Sequence, residues 1–501
     1  MEDKLEGSHH VDHSLGDRLT NADLAPSTDR SWGAFSIFAM QSCTVHSLGT
    51  YTFASALFFL GLVGWQVFLA ILVGISIVFF LMNKTGYAGT DTRVTYPVFA
   101  RISFGVFGAN LPALIRAIVA IAWYGIQTWL ASVAVVVLLV STWPSLGEYT
   151  KNSFLGLSTL GWISFLGLWL FQLIVIRRGM DTIKKFQDFA GPAIWVVMAV
   201  MAIWLFFQAG GKFSLDVTDH RVYGWDAVRA FAIGVCMVLS YSATLLLNFM
   251  DFSRLARDRK AVSRGNFWGL PVNYIALGAT IVVTTSASVV VFGKALTDPV
   301  EIVKAINNPW VTVIGAVVFI IATIGINVVA NFVSAAYDLA HLAPRWINFK
   351  RGGLISAVIA IFILPWHLYE SPLAITYFLG GLGALLGPLY GVIFADYYLV
   401  RRAKVDVKAL YSQNPQGPYF YRKGWNPLAI WSFAGAAVVT IPIALVPVFT
   451  SLATFAWPIG VVIAGGIYLL LNRGRRFDLP EYTASGQLAA ELAAATEGEP
   501  A

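Results

Sequence analysis

Four polar side chains, Asn327, Asn331, Ser334 and Asp338, recur at spacings of four, three and four in the apolar stretch WVTVIGAVVFIIATIGINVVANFVSAAYDL, Trp310 to Leu339. On a 3.6-residue helix all four share one face. Two amides near the middle of a bilayer span are costly to leave facing lipid, so this face either holds helices together by hydrogen bonds or looks into a wet cavity. A second pair lies in AIVAIAWYGIQTWLAS, where Trp123 and Gln127 are four apart. An indole and a carboxamide on one face suit a flat heterocyclic amide, the ring by stacking and the carboxamide by offering a donor beside an acceptor. With 17 tryptophans in the chain, an ordinary packed ring is the alternative for Trp123. A third group is the run QSCTVHSLGT, Gln41 to Thr50, where hydroxyls including that of Ser47 surround His46. Among residues near a span centre His46 is the only ionisable one besides tyrosine and cysteine. It either exchanges a proton near neutral pH or stays neutral on a neighbouring carbonyl.

These residues need membrane helices to position them. The chain has 501 residues, 57% hydrophobic and only 12% charged, against about 25% charged in soluble domains, which makes it an all-α polytopic membrane protein. Windows of roughly 20 apolar residues mark twelve spans, near 33–60, 64–83, 109–140, 159–176, 187–207, 226–249, 267–292, 310–339, 353–370, 374–399, 426–448 and 451–471. Alternate connections on the side of the amino-terminal arm carry 27 Lys and Arg, the opposite ones five, so both termini are expected in the cytoplasm. Arg116 and Arg229, at the starts of spans 3 and 6, are expected to snorkel to the headgroups. No cleavable signal is expected, since apolar sequence begins only at Trp32.

Span 1 is interrupted by the run around His46, and span 6 by SYSAT, Ser240 to Thr244. Unwound backbone at membrane depth is tolerated where it lines a cavity, and a matched pair of broken spans marks inverted-repeat transporters; small residues used only for packing are the alternative. The division that follows is an arm at 1–32, a first repeat at 33–207 (spans 1–5), a second at 226–399 (spans 6–10), a cytoplasmic connection at 400–425, spans 11 and 12 at 426–471, and an acidic tail at 478–501. Cys43 and Cys236 sit in apolar segments and read as free thiols. His9, His10 and His13 lack the spacing of a strong metal site, so no metal and no cofactor is expected. No nucleotide loop or paired acidic site points to an enzyme or an ATP-driven pump, and no filter motif or large ligand domain points to a channel or receptor.

Several motifs in order, WYGIQTW in span 3, INVVANFVSAAYDLA in span 8, INFKRGG at 347–353 and LGPLYGVIFADYYLVRR at 386–402, resemble the nucleobase:cation symporter-1 family, with the likeness covering about Asp23 to Arg476. The resemblance implies a five-plus-five inverted-repeat fold of twelve transmembrane helices, two of them additional, working by alternating access. It implies uptake of a nucleobase or cyclic ureide with a coupling ion, by a monomer in the cytoplasmic membrane with no nucleic-acid partner. It also implies that Trp123 stacks on the substrate ring, that Gln127 and Asn331, beside Asn327, bind its amides, and that spans 1 and 6 close the cavity. The chain departs from the family's hydantoin permease at two places. Ser242, with Tyr241 beside it, stands where a second tryptophan sandwiches the substrate, and Gly325 and Ile326 replace two hydroxyl residues of the sodium site. Sodium wants oxygen ligands. Backbone carbonyls near Ala322 and Val45 are what remains, so proton coupling through His46 is the expectation and sodium coupling the alternative.

Overall fold

The computed structural model describes residues 18–475 apart from 47–49, 51–56, 58–59, 213–220, 295, 297–298, 307 and 370–371. Ser47 and the acidic tail therefore lie outside the described residues. The described chain is helical, with isolated bridges such as Trp32 to Ala256 in its connections. The long helices are α1 (Ala34–Val45), α2 (Gly64–Thr92), α3 (Asn110–Thr142), α4 (Thr159–Arg177), α5 (Met180–Gln208) and α6 (Gly224–Asn248). They continue as α7 (Asn273–Phe292), α8 (Pro309–Ile326), α9 (Phe349–Phe362), α10 (Pro372–Phe394), α11 (Pro427–Leu445) and α12 (Ala456–Leu471). Among the described residues nine helical segments are long and apolar enough to cross a bilayer, with Ala34–Val45 and Thr159–Val175 as shorter apolar helices.

Local sequence explains where several helices begin. The side chains of Asn308, Asn348 and Asn426 each accept a backbone N–H of the first turn, and Pro309 and Pro427 occupy first-turn positions where no donor is lost. Close packing then depends on small residues. Helix α1 lies on α5, and α2 lies on α6. A Cβ at Gly191 would stand 2.5 Å from the carbonyl oxygen of Ala39, and one at Gly74 would stand 2.8 Å from Cβ of Val238. Dispersion and close backbone approach hold such helices together where burial of apolar surface supplies little force.

Two expectations are corrected. Helix α1 does stop at Val45, with the N–H of His46 closing back on Ser42 at 3.0 Å, but α6 runs unbroken through Ser240 to Thr244. The hydroxyl of Ser242 donates to the carbonyl of Val238 one turn back (3.0 Å) and that of Ser240 to the carbonyl of Thr454 (3.3 Å). Hydroxyls satisfied in this way need no unwound backbone. Arg116 does not snorkel either. It is fully buried and its Nη2 donates to the carbonyl of Ala330 (2.7 Å) and Oδ1 of Asn248 (3.2 Å), whereas Arg229 is exposed.

One irregularity was not foreseen. After Ile326 the chain of α8 continues as a π-helix over Asn327–Val333 and returns to α-helix over Ser334–Leu342. A π-turn widens the ladder and is often found at functional sites. The polar stripe read from the sequence lies in this stretch and just beyond it. All four of its members are buried.

Candidate functional site

A cavity of about 50 Å³ lies between α1, α3, α6 and the π-helical turn after α8. Of the residues singled out in the sequence, Trp123, Gln127, Tyr241, Ser242 and Asn331 line it. Asn327 does not. Its Nδ2 faces the carbonyl of Tyr124 (3.1 Å), Oγ1 of Thr128 (3.0 Å) and Oε1 of Gln172 (2.8 Å), while its Oδ1 accepts from Nδ2 of Asn331 (2.9 Å). Asn331, which donates to it, does line the cavity.

Gln127 is the reverse case. It is buried, and Oε1 finds no partner among the described residues. A buried amide left unmade costs about 1–3 kcal/mol, so such a group in a cavity wall is poised for a ligand that supplies the complementary N–H. Four residues further back on α3, Trp123 is held by Phe378 (ring centroids 5.6 Å apart, planes at 60°) and Tyr369 (6.3 Å, 58°). These tilted ring contacts pack against the indole and fix its plane.

Across the cavity the hydroxyl of Tyr241 meets Oγ1 of Thr50 at 3.0 Å, and Thr50 donates to the carbonyl of Thr44 (3.0 Å), which ties α6 to the end of α1. Sequence reasoning singled out neither Gln41 nor Tyr274 as a lining residue. Gln41 donates from Nε2 to Oδ1 of Asn266 at 3.0 Å. The signal that marked Gln127, an amide deep in an apolar span, was present at Gln41 as well. Tyr274 had no such signal, because only the packing of α7 brings it to the cavity.

The ion-coupling candidates sit beside this cavity. His46 is buried, with Nε2 2.8 Å from Oδ1 of Asn273 and its ring edge-on to Trp195 at 5.5 Å. Asn273 uses its own Nδ2 on Ser42 and on the carbonyl of Gly269 (both 3.2 Å), so its oxygen faces His46 and Nε2 carries the proton. Val45 and Ala322 are both buried. At Gly325 a Cβ would stand 3.0 Å from Cβ of Cys43, and its carbonyl already accepts from Nε2 of Gln187 at 2.8 Å. The packing of Cys43 therefore leaves little room for a hydroxyl side chain there.

A further polar group, outside the cavity lining, draws on three segments. Asn248 donates to Ser334, Asp251 accepts the N–H of Tyr96 at 2.8 Å, and Asp338, one turn beyond Ser334, is fully buried. Tyr96 opens the short helix Tyr96–Phe99, which Arg101–Phe104 follows.

Comparison with known proteins gives the family and the fold. Residues 25–462 match the family model described as permease for cytosine/purines, uracil, thiamine, allantoin. The allantoin permease of Bacillus subtilis (strain 168) is 38% identical over 460 residues, covering 91% of this chain and 94% of that protein. The purine-uracil permease NCS1 of Arabidopsis thaliana is 33% identical over 447 residues (87% and 74%), and the hydantoin permease of Microbacterium maritypicum 27% over 438 residues (84% and 84%). In fold the chain is similar to Mhp1, a nucleobase-cation-symport-1 transporter solved closed with bromovinylhydantoin bound, at a TM-score of 0.73 and 22% identity over 93% of this chain and 98% of that one. An all-helical membrane fold, a cavity of amides and aromatics between α1, α3, α6 and α8, and a family match over most of the length lead to one conclusion: the chain belongs to the nucleobase:cation symporter-1 family of permeases.

Proposed function

We propose that this permease imports a nucleobase or cyclic ureide, such as uracil, a dihydropyrimidine, hydantoin or allantoin, by alternating access and in symport with protons. Twelve spans, five plus five in inverted repeat with two more, cross the cytoplasmic membrane with both termini inside, and the working unit is a monomer. The observation that carries the substrate reading is the unpartnered Oε1 of Gln127 beside Asn331 and the packed ring of Trp123. All the proposed substrates present N–H beside C=O in a ring, which one amide pair can read. The names of the relatives, permeases of allantoin, purine-uracil and hydantoin, support the same class. Ligand pockets usually hold roughly 300–1,000 Å³, so a cavity of about 50 Å³ must widen for a substrate to enter, as alternating access requires.

Proton coupling is supported by the crowding at Gly325, where Cys43 fills the space of a hydroxyl ligand and Gln187 already uses the carbonyl. His46 is the proton-exchanging residue in this reading, through the imidazole that contacts Asn273. The test is uptake of radiolabelled allantoin and uracil into cells expressing the chain, in sodium-free buffer at several pH values, with and without an uncoupler. Accumulation without sodium that collapses with uncoupler is expected. Strict sodium dependence with no effect of uncoupler under a maintained sodium gradient would give the coupling to sodium, and equilibration without accumulation would make the protein a channel.

A further inference from the structure

A second, larger cavity, of about 390 Å³, opens on the face that carries the amino-terminal arm, well apart from the substrate site. Its walls come from three segments of that face: the arm at Arg18 and Leu19, the connection after α2 with Arg101, Phe107 and Asn110, and the chain leaving α8 from His341 to Trp346. Arg18, Arg101 and Arg345 line it, and among the described residues no acidic one does. Arg101 is fully buried and, among the described residues, forms no ion pair. Its donors hold the walls in place, Nη2 on the carbonyl of Leu19 (2.6 Å), Nη1 on that of Leu410 (3.0 Å) and Nε on Nε2 of His341 (3.0 Å).

Because Nε2 of His341 accepts that bond, its proton sits on Nδ1. Nδ1 is buried and has no partner among the described residues, in a side chain only 3% exposed that lines the cavity. An uncompensated buried guanidinium and an unmade buried N–H in one wall both call for negative charge and acceptor oxygens. Burial pushes Arg101 down to about 10, so it still carries its charge at neutral pH. At the rim, exposed Arg345 stands beside Trp346, 74% exposed, a pairing characteristic of the membrane–water boundary.

We propose that this cavity binds a phosphate-ester anion, through Arg18 and Arg345 at the rim and the Nδ1–H of His341 within, under the field of Arg101. The chemistry is shared by an anionic phospholipid headgroup and a free phosphate. Basic pockets among membrane helices on the cytoplasmic side are known to take lipid headgroups, and the positive-inside reading places this face there. An occupant would link the arm to the end of α8, whose π-helical turn carries Asn331.

The test uses the full chain, delipidated in neutral detergent, and follows the thermal unfolding midpoint during titration with three probes: phosphatidylglycerol in mixed micelles, phosphatidylcholine in the same micelles, and sodium phosphate at matched ionic strength. Phosphatidylglycerol or phosphate is expected to raise the midpoint where phosphatidylcholine does not. The doubly substituted Arg18→Gln/Arg345→Gln protein, altered only at exposed rim positions, should need about 30-fold more of the active probe, at about fivefold per arginine. A Lys260→Gln/Lys350→Gln protein, with two exposed charges outside the cavity lining, should titrate as wild type. Response to phosphatidylglycerol alone assigns the source to lipid, and response to phosphate assigns it to a soluble anion. The proposal is overturned if neither probe exceeds the phosphatidylcholine control, or if the rim substitutions leave the titration unchanged.

Discussion

Asn327 and Gln127 are both buried amides in the same helix pair, and they have opposite surroundings. Asn327 lies in a closed knot: Thr128 donates to Tyr124 (2.7 Å), Gln172 to Thr128 (3.2 Å), and Nδ2 of Asn327, with its two hydrogens, lies within hydrogen-bond reach of all three neighbours. Gln127, one residue before Thr128 and so turned to the adjacent face of α3, enters the cavity with its oxygen unpaired. The difference separates the two uses of a polar residue inside a membrane, helix glue and ligand contact. Residue type does not distinguish them; the number of unmade bonds does.

The sharpest way to break that comparison is to delete each amide. Gln127→Ala should weaken binding of allantoin or uracil by about 5- to 150-fold, from the loss of roughly 1–3 kcal/mol, while the unfolding midpoint in detergent stays put. Asn327→Ala should do the opposite first, lowering the midpoint, because it strands several buried partners at once. Equilibrium binding and thermal unfolding of both variants decide the matter, and a reversed pattern would exchange their roles.

His46→Gln tests whether the imidazole is glue or a proton carrier. A glutamine can keep the contact to Asn273 but cannot titrate. At a pH gradient of one unit, losing one coupled proton removes about tenfold of accumulation, with little change expected in equilibrium binding. Equal loss in the two measurements would make His46 structural.

Smaller effects sharpen the aromatic side of the site. Trp123→Ala should cost about 0.5–1.5 kcal/mol of stacking beyond lost area, read as a severalfold rise in Kd, and Trp123→Phe should recover part of it. Identical losses would mean that the ring only fills space. Least in magnitude is a pattern along unbroken α6. In a Cys236→Ser background, Ser242→Cys, in the cavity wall, should react with aqueous thiol reagents and be protected by substrate, whereas Ala243→Cys, 1% exposed, should not. Equal reactivity at both positions would indicate that the segment unwinds during transport.

Much of this site was legible before any coordinates. Spacing alone put Trp123 with Gln127 and Asn327 with Asn331, and the desolvation cost of an amide in hydrocarbon said that both pairs face inward. The stop of α1 at Val45 was legible for a similar local reason, a run of small and hydroxylic residues around His46. The same reasoning failed at SYSAT, because a hydroxyl can bond back to its own helix, and sequence does not say which outcome a serine takes.

The sequence by itself determined which segments are apolar enough to enter the membrane and which polar residues share a face, since both follow from transfer cost and helical periodicity within one segment. Only the tertiary structure decided which polar atoms find partners. Arg116 ends on the carbonyl of Ala330, Asn327 on Gln172, Gly325 under Cys43, and Oε1 of Gln127 on no described residue. The first three are contacts between helices far apart in the chain. Such pairings depend on angstrom-scale approach of packed surfaces, which composition and spacing within a single helix do not encode.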